Sequence, residues 1–406
     1  MTTPQKIPSR ASANPALPGP FDAEFDIIVV GGGGGGLPAA LFARWLGNSV
    51  GLLEKAAELG GTARKAAFWY WVPNNKKMRE VGLVDGKVDF LRYVARLSCP
   101  QSYNPEDPRL GLSEWEYGMC QAIYDSASPA TELLSERGAL PYRHCPDVPD
   151  YWAELPEDKA PRGRVLLPEA ASHSMSDGGR VAIDSLSAAA RRDGIDIRSG
   201  HRVQRVVRNS EGEVIGVEAN TSQDDIVRIR ARKAVIFATG GFTQRYEPIT
   251  GGFRLSADFS QNLKAAVARF NEFARAGHDE DFHRGERPVE QLFNGTVKEE
   301  PGRTNLTLYP VNKRGPYYAA LVTGGTLDTK GGAKTTVNGQ VVDDQDRPIP
   351  GLYGVGNCVA SASGRAYWAG GATLGPIIAF AYRAAYAAHA EPVKDADLIE
   401  ELPVHH

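Results

Sequence analysis

An α/β architecture built on a parallel sheet is the fold class this sequence predicts, on three observations. DIIVV (Asp26–Val30) is a short apolar, β-branched run of the kind that forms a strand buried on both faces. Six consecutive glycines, Gly31–Gly36, then lead into LPAALFARWLG, whose apolar residues recur at helical spacing with Gly47 placed as a stop. A second apolar run, SVGLLEK, follows and closes on Glu54 and Lys55. Strand, tight turn, helix, strand, acid is the order of a βαβ unit.

A glycine run in isolation reads as a flexible spacer, but here a strand precedes it and a helix follows. Gly31, Gly33 and Gly36 satisfy G-x-G-x-x-G. In that pattern the first glycine permits the turn, the second lets the backbone approach a pyrophosphate, and the third lets the helix pack on the strand. The helix N-terminus adds free N–H groups and a partial positive charge. Glu54, 18 residues after Gly36, stands where a carboxylate accepts hydrogen bonds from ribose hydroxyls. The expectation is a Rossmann-like dinucleotide site.

Further along, GGTARKAAFWYWVPNN reads as an irregular, functional loop because of its glycines and proline. Residues 96–164 mix helix-like stretches (EYGMCQAIYDSASPATELLSERG) with a Pro-rich loop, YRHCPDVPDYWAELPEDKAPRG. From Gly179 a helix, RVAIDSLSAAARRDG, runs into IDIRSG, HRVQRVVRN, EVIGVEAN and IVRIRARKAVIFATGG. These predict a strand, a meander of alternating strands and a return to the main sheet. NLKAAVARFNEFARAG predicts a helix, and TLGPIIAFAYRAAYAAHA a closing one with small residues suited to close packing.

The chain has 406 residues, 42% hydrophobic and 23% charged, with net charge −3. That length suggests two domains, and the charge balance points to neither nucleic acid nor an anionic membrane. Cys99, Cys120, Cys145 and Cys358 lack metal-ligand spacing, which argues for no metal and a reducing, cytoplasmic setting. Residues 1–21 are polar and Pro-rich and read as a disordered or surface extension. No run is long enough to span a bilayer. His144, His173, His201, His278 and His283 sit in polar stretches and read as solvated or loop histidines. The acidic run Asp279–Asp281 reads as a solvated face.

A nicotinamide enzyme needs one such βαβ unit, whereas this chain adds GGT (Gly60–Thr62), ATGG (Ala238–Gly241) and GLYGVGN (Gly351–Asn357). Each is a small-residue turn after an apolar segment, where backbone N–H groups can meet phosphate or ring oxygens. Five blocks carry a resemblance: DIIVVGGGGGGLPAA with LLEK, GGTARKAAFWYWVPNN, ATGGF, RFNEFARAGHDEDFHRG and GLYGVGNCVASASGRAYWAGGATLGP. In their order the sequence resembles the FAD-binding flavoproteins of the fumarate reductase/succinate dehydrogenase superfamily, and most of all the 3-ketosteroid Δ1-dehydrogenase branch.

That resemblance implies a non-covalent FAD. Gly31, Gly33 and Gly36 would face the pyrophosphate, Glu54 with Lys55 the adenosine ribose, and Val203 the adenine. Gly61, Thr62, Thr239 and Gly240 would lie along the dinucleotide. Asn357, Thr373 and Leu374 would reach the ribityl chain and flavin ring. It also implies residues 22–245 and 340–406 as the FAD-binding domain and 246–339 as a small, reduced α+β substrate cap. In the family a Tyr and a Gly four residues later hold the substrate ketone, which maps onto Tyr367 and Gly371. Their hydroxyl and amide would stabilise an enolate-like oxygen while a hydride passes to flavin N5.

Fumarate reductases place a carboxylate-clamping arginine where this chain has Trp368, with Arg365 three residues earlier. Their His–His–Thr–Met–Gly–Gly stretch here reads LDTKGG, Leu327–Gly332, without either imidazole. A neutral ketone is therefore expected over a dicarboxylate. For the base, VPDYWAELP offers Tyr151, with Trp152 beside it, and GPYYAALV offers Tyr317 and Tyr318.

After ATGGF the chain reaches the family's later helix almost at once and omits much of the cap. A more open cavity, a smaller substrate or a covering copy in a homo-oligomer would follow. The resemblance implies a ketone or enone substrate and leaves the electron acceptor and the direction open. The rival readings are a flavin-dependent enone or enoate reductase and a non-catalytic FAD-binding subunit.

Overall fold

The computed structural model describes residues 21–172, 176–242, 256–294, 305–318 and 328–396, with the backbone of 398–403. Residues 1–20 of the expected extension, His173 and the 243–255 segment after ATGGF lie outside the described residues.

In chain order the N-terminal part holds β1 (Ala23–Val30), α1 (Gly36–Trp45), β2 (Val50–Leu53), β3 (Tyr70–Trp71), α2 (Lys76–Glu80), α3 (Lys87–Ser98), α4 (Glu114–Glu136), β4 (Tyr142–His144) and β5 (Val165–Pro168). The middle holds α5 (Gly178–Arg192), β6 (Asp196–Arg198), β7 (Arg202–Asn209), β8 (Val214–Asn220), β9 (Ile226–Phe237), α6 (Phe259–Ala276) and α7 (Pro288–Asn294). The C-terminal part holds β10 (Gln340–Val342), β11 (Pro348–Gly354), α8 (Leu374–Ala390) and β12 (Leu398–Pro403).

The main sheet is a parallel core, β6-β2-β1-β9-β11, extended by an antiparallel meander. The 12-residue β9 joins the two: Ile226–Arg230 pairs with β8, and Val235–Phe237 pairs with β11. Its start alternates in burial like a half-exposed strand and its end is the apolar AVIF, so the two halves suit two different sheet environments. β7 pairs antiparallel with β8 and with β12. The sequence pattern predicts no element after the closing helix, so β12, LIEELP, is an addition to the expected fold.

α1 and α8 pack on the parallel core, with Leu37, Phe42, Ile236, Tyr353 and Ile378 in one buried cluster. Ala381, Ala384, Ala385 and Ala388 are fully buried where α8 meets α1 and α4, so small side chains here allow close helix approach. α4 carries a capping box, with the Ser113 hydroxyl accepting from the Glu116 N–H at 3.2 Å.

One sequence expectation is corrected: the WYW segment is not irregular loop throughout. Tyr70 and Trp71 form β3 of a second, three-stranded antiparallel sheet, β3-β5-β4. Of the expected cap, α6 and α7 are described, and α7 lays Phe293 against Trp69 with ring centroids 5.8 Å apart. No helix among the described residues is long and apolar enough to cross a membrane.

Candidate active site

The glycine turn connects the C-terminal end of β1 to α1. Gly31 has φ +106°, and a Cβ there would stand 2.5 Å from the Ala238 carbonyl oxygen, so only glycine fits. A Cβ on Gly36 would stand 1.7 Å from the Gly31 oxygen, which is the close strand–helix packing the motif implies. Gly33 differs, because its Cβ would meet only the Gly60 oxygen at 3.6 Å. The amides of Gly33 and Gly34 meet no acceptor among the described residues. An open cradle of free N–H groups at a helix N-terminus fits a pyrophosphate.

Glu54, at the end of β2, is fixed by two amides: Gly32 donates to Oε2 at 2.8 Å and Ala56 to Oε1 at 2.9 Å. Each oxygen keeps a lone pair for a ribose hydroxyl. Lys55, Gly61 and Thr62 are exposed beside it, and the Gly60 amide ties that loop to the Gly32 carbonyl at 2.9 Å. Val203 is buried beside Leu53 and Val30 in the sheet core. Thr239 and Gly240 lie exposed just past β9.

The two ends of the chain meet at this turn. Leu374 and Ile377 of α8 come within 3.0 Å and 2.9 Å of where Cβ atoms of Gly34 and Gly35 would be. Thr373 donates to Asp328 Oδ2 at 2.7 Å, and Asn357 donates to the same oxygen at 3.4 Å. Asp328 thus links the two polar residues expected near the flavin. Sequence reading noticed the surrounding LDTKGG but not this carboxylate. The residues present at Glu54, the glycine turn and the start of α8 therefore fit a dinucleotide such as FAD.

Gly371, with φ +89°, would place a Cβ 2.6 Å from the Trp69 backbone, so β3 and this loop are in direct backbone contact. The Gly371 carbonyl accepts from Trp71 N at 3.1 Å and from Gly375 N at 3.0 Å. Burial pushes the Tyr367 phenol above its ordinary range, against the opposing pull of the nearby Thr373 hydroxyl and Gly371 amide. Tyr367 and Gly371 are thus brought together. Lys330 Nζ, which donates to Ser363 Oγ at 2.6 Å, lies 5.9 Å from the Tyr367 ring.

Tyr367 lines a cavity of about 950 Å³ together with Tyr151, Trp152, Leu97, Val289 and Phe293. That size is at the upper end for a small-molecule site. Tyr151 packs 5.7 Å from Tyr367, centroid to centroid, and burial with Tyr367 nearby pushes its phenol up to about 12. Tyr317 and Tyr318 are not brought to this cavity. Tyr317 bonds the Asn312 carbonyl at 2.7 Å, and Tyr318 is 92% exposed. Trp368 is 1% exposed, and its indole donates to Ser98. Arg365 and Arg287 do line the cavity, the latter with its guanidinium 4.2 Å over the Trp152 ring. Arg287 lies in the acidic and polar stretch after the NLKAAVARFNEFARAG helix, where the sequence pattern carries no site signal.

A buried ionic cluster stands behind these residues. Arg164 bonds Asp85 bidentately at 2.9 Å and 2.8 Å, Asp158 at 3.0 Å, and Asp150. All four side chains have zero exposure. Trp71 donates its indole N–H to Asp150 at 2.8 Å, and the Tyr151 amide bonds the Trp368 carbonyl at 3.2 Å. The cluster therefore ties the Tyr151 loop to the strand that holds Gly371. Three carboxylates exceed one guanidinium, and burial pushes Asp150 up to about 7 against the pull of Arg164.

The histidines expected at the surface include a pair that the fold gathers: His278 and His283, 55% and 64% exposed, face Glu286 at 2.8 Å and 3.2 Å. Asp279 is not the solvated residue expected of the acidic run. It is 1% exposed and caps the Asp281 and Phe282 amides at 3.0 Å and 3.1 Å.

The model of the FAD binding domain family matches residues 26–257 and 255–374. Among curated relatives, a 3-oxosteroid 1-dehydrogenase of Mycolicibacterium smegmatis is 42% identical over 127 residues, 31% of this chain and 21% of the relative. A 4-oxocyclohexanecarboxylate 2-dehydrogenase of Sinomonas cyclohexanicum is 40% identical over 125 residues, again 31% of this chain and 21% of the relative. The matched stretch thus spans about a fifth of the length of these relatives. In fold, the chain resembles the 3-ketosteroid Δ1-dehydrogenase of Sterolibacterium denitrificans with a TM-score of 0.75 and 19% identity, over 90% of this chain and 99% of that one.

Proposed function

This chain belongs to the FAD binding domain family, and from that premise we propose that it is an FAD-dependent oxidoreductase acting on the carbon–carbon bond next to a ketone. The observation that carries the reading is Tyr367 on the wall of a largely apolar cavity, with the buried Gly371 amide close to its phenol near the start of α8. The curated relatives named for ketone dehydrogenation support it.

Gly31, Gly33 and Gly36 would hold the pyrophosphate and Glu54 with Lys55 the adenosine ribose, with Val203 near the adenine. Gly61, Thr62, Thr239 and Gly240 would line the dinucleotide, and Asn357, Thr373 and Leu374 the ribityl chain and ring. When bound, FAD takes up the hydrogen and electron pair lost from the carbon β to the carbonyl.

The chain's own residues do the polar work. The Tyr367 hydroxyl and Gly371 N–H donate to the ketone oxygen and stabilise it as it becomes enolate-like. Tyr367 is held protonated by burial, which keeps it a donor. Tyr151 exchanges the proton at the α carbon, and Phe293, Trp152 and Leu97 keep water from the reacting atoms. The phenol of Tyr151, up at about 12, is also protonated at neutral pH. That favours a second reading, reduction of an enone, in which Tyr151 delivers the proton.

Anaerobic addition of cyclic ketones to FAD-loaded protein tests the first reading. Bleaching at about 450 nm, a property of the cofactor, is the expected result. A flavin that no ketone bleaches overturns it.

A further inference from the structure

The cavity wall holds two cations that the ketone reading does not use. Arg365 lines it, is exposed, and meets no carboxylate, carbonyl or aromatic ring among the described residues. Arg287 lines it as well. Its guanidinium lies 4.2 Å over Trp152, which sets its plane, and among the described residues its carboxylate neighbour is Glu154, 3.5 Å away. The acid on the same wall, Glu290, is already engaged by the Gly285 amide at 2.9 Å. Cys99, also on the wall, is pushed up by burial and stays a neutral thiol. The lining therefore carries two positive charges against one bonded carboxylate.

An apolar cavity with exposed guanidinium groups favours a ligand that brings its own anion, because a planar, weakly hydrated cation pairs with a carboxylate in fork geometry. A wholly neutral ligand would instead shield these cations from water without pairing them. We infer that Arg365 and Arg287 form an anion subsite, and that the substrate is a small ketone carrying a carboxylate. The ketone end lies at Tyr367 and Gly371, and the carboxylate end at the arginines. This inference rests on the ketone reading of the same cavity and narrows it from ketones in general to oxo-carboxylates. It also reverses the expectation of a wholly neutral substrate drawn from the missing imidazoles of LDTKGG.

The test separates the two readings. Calorimetry on FAD-loaded protein compares 4-hydroxybenzoate with 4-methylphenol, a pair that differs in the carboxylate. The expected result is at least about tenfold tighter binding of the carboxylate, weakened by added salt. Arg365→Gln with Arg287→Gln should remove that preference, and Arg365→Lys should keep part of it. Both residues are solvent-accessible, and an unchanged melting temperature shows that the variants fold. Equal or weaker binding of the carboxylate overturns the subsite. Flavin bleaching is then compared between 4-oxocyclohexanecarboxylate and 4-methylcyclohexanone. Equal bleaching by both keeps the ketone reading and overturns the anion subsite. Arginine-dependent binding with bleaching by neither keeps the subsite and overturns ketone oxidation.

Discussion

Gly33 and Gly36 belong to one motif, yet their surroundings differ, and that difference is measurable. A Cβ at Gly36 would collide with the Gly31 oxygen at 1.7 Å, whereas at Gly33 it enters space bounded only by the Gly60 oxygen at 3.6 Å. Gly36→Ala should therefore destabilise the protein with or without FAD, by about 1–3 kcal/mol as overpacking does. Gly33→Val should leave the FAD-free protein within about 0.5 kcal/mol of the parent and abolish flavin binding. Denaturation and absorbance of the purified variants check both, and a yellow Gly33→Val protein would exclude a pyrophosphate at that amide. Tyr367→Phe should retain the flavin and lower turnover by about 10²–10³, the usual effect of one lost oxyanion donor. Full activity in that variant would remove Tyr367 from the carbonyl site. Tyr151 makes a pH prediction. A base must be deprotonated, and this phenol is pushed up to about 12, so the active fraction grows with pH. Dehydrogenation kcat/KM should climb about tenfold per pH unit above neutrality, and Tyr151→Phe should flatten the profile. A flat profile in the parent would assign the proton to another group.

Among the elements, the three-stranded sheet β3-β5-β4 is held from behind by Arg164, whose removal would leave three buried carboxylates without a cation. Arg164→Leu should cost about 3–5 kcal/mol, the range for breaking a buried pair from one side. Asp158→Asn should behave oppositely. Asp158 Oδ1 accepts from Arg164 while Oδ2 meets no partner, so an amide keeps the useful contact and removes one surplus charge. Asp150 sits near 3.8 when unfolded and about 7 when folded, so the folded state holds the extra proton between those values. Stability from this group is full below pH 3.8 and lost as pH rises toward 7. Asp158→Asn relieves that load, so its stability advantage should widen as pH rises through this window. An advantage that is constant or shrinks with pH would mean that the carboxylates do not compete there.

Neither this sheet nor its anchor was legible in the sequence. β3 has two residues and β5 four, too few to show a period, and the acids that orient them stand up to 79 positions from Arg164. The βαβ unit was legible because strand, glycine turn and helix are contiguous and each follows its own period. The Tyr367–Gly371 pair was legible as a local motif. Phe293 and Arg287 were not, because the polar stretch around them joins the cavity through contacts distant in sequence, Phe293 on Trp69 and Arg287 on Trp152.

For the molecule as a whole, the fold brings residues 31–36 and 371–377 side by side, and the dinucleotide surface is assembled from turns far apart in sequence. Among the described residues the Gly60–Thr62 loop joins the glycine turn through one hydrogen bond, from Gly60 N–H to the Gly32 carbonyl at 2.9 Å, and Asn357 and Thr373 meet through the carboxylate of Asp328. Turns tied so lightly to one another depend on what lies between them. A ligand that touches all of them binds the native chain and not the unfolded one, so FAD should stabilise by mass action. At a free concentration of about 100 times Kd the gain is about 2.7 kcal/mol, and for a chain of this length that is a rise of about 3 °C in Tm. The shift should grow with the logarithm of FAD concentration and be absent in Gly33→Val, whose fold is otherwise kept. A melting temperature that ignores saturating FAD in the parent would show that these turns are joined by protein contacts alone, and that the open cradle at Gly33 serves some other ligand.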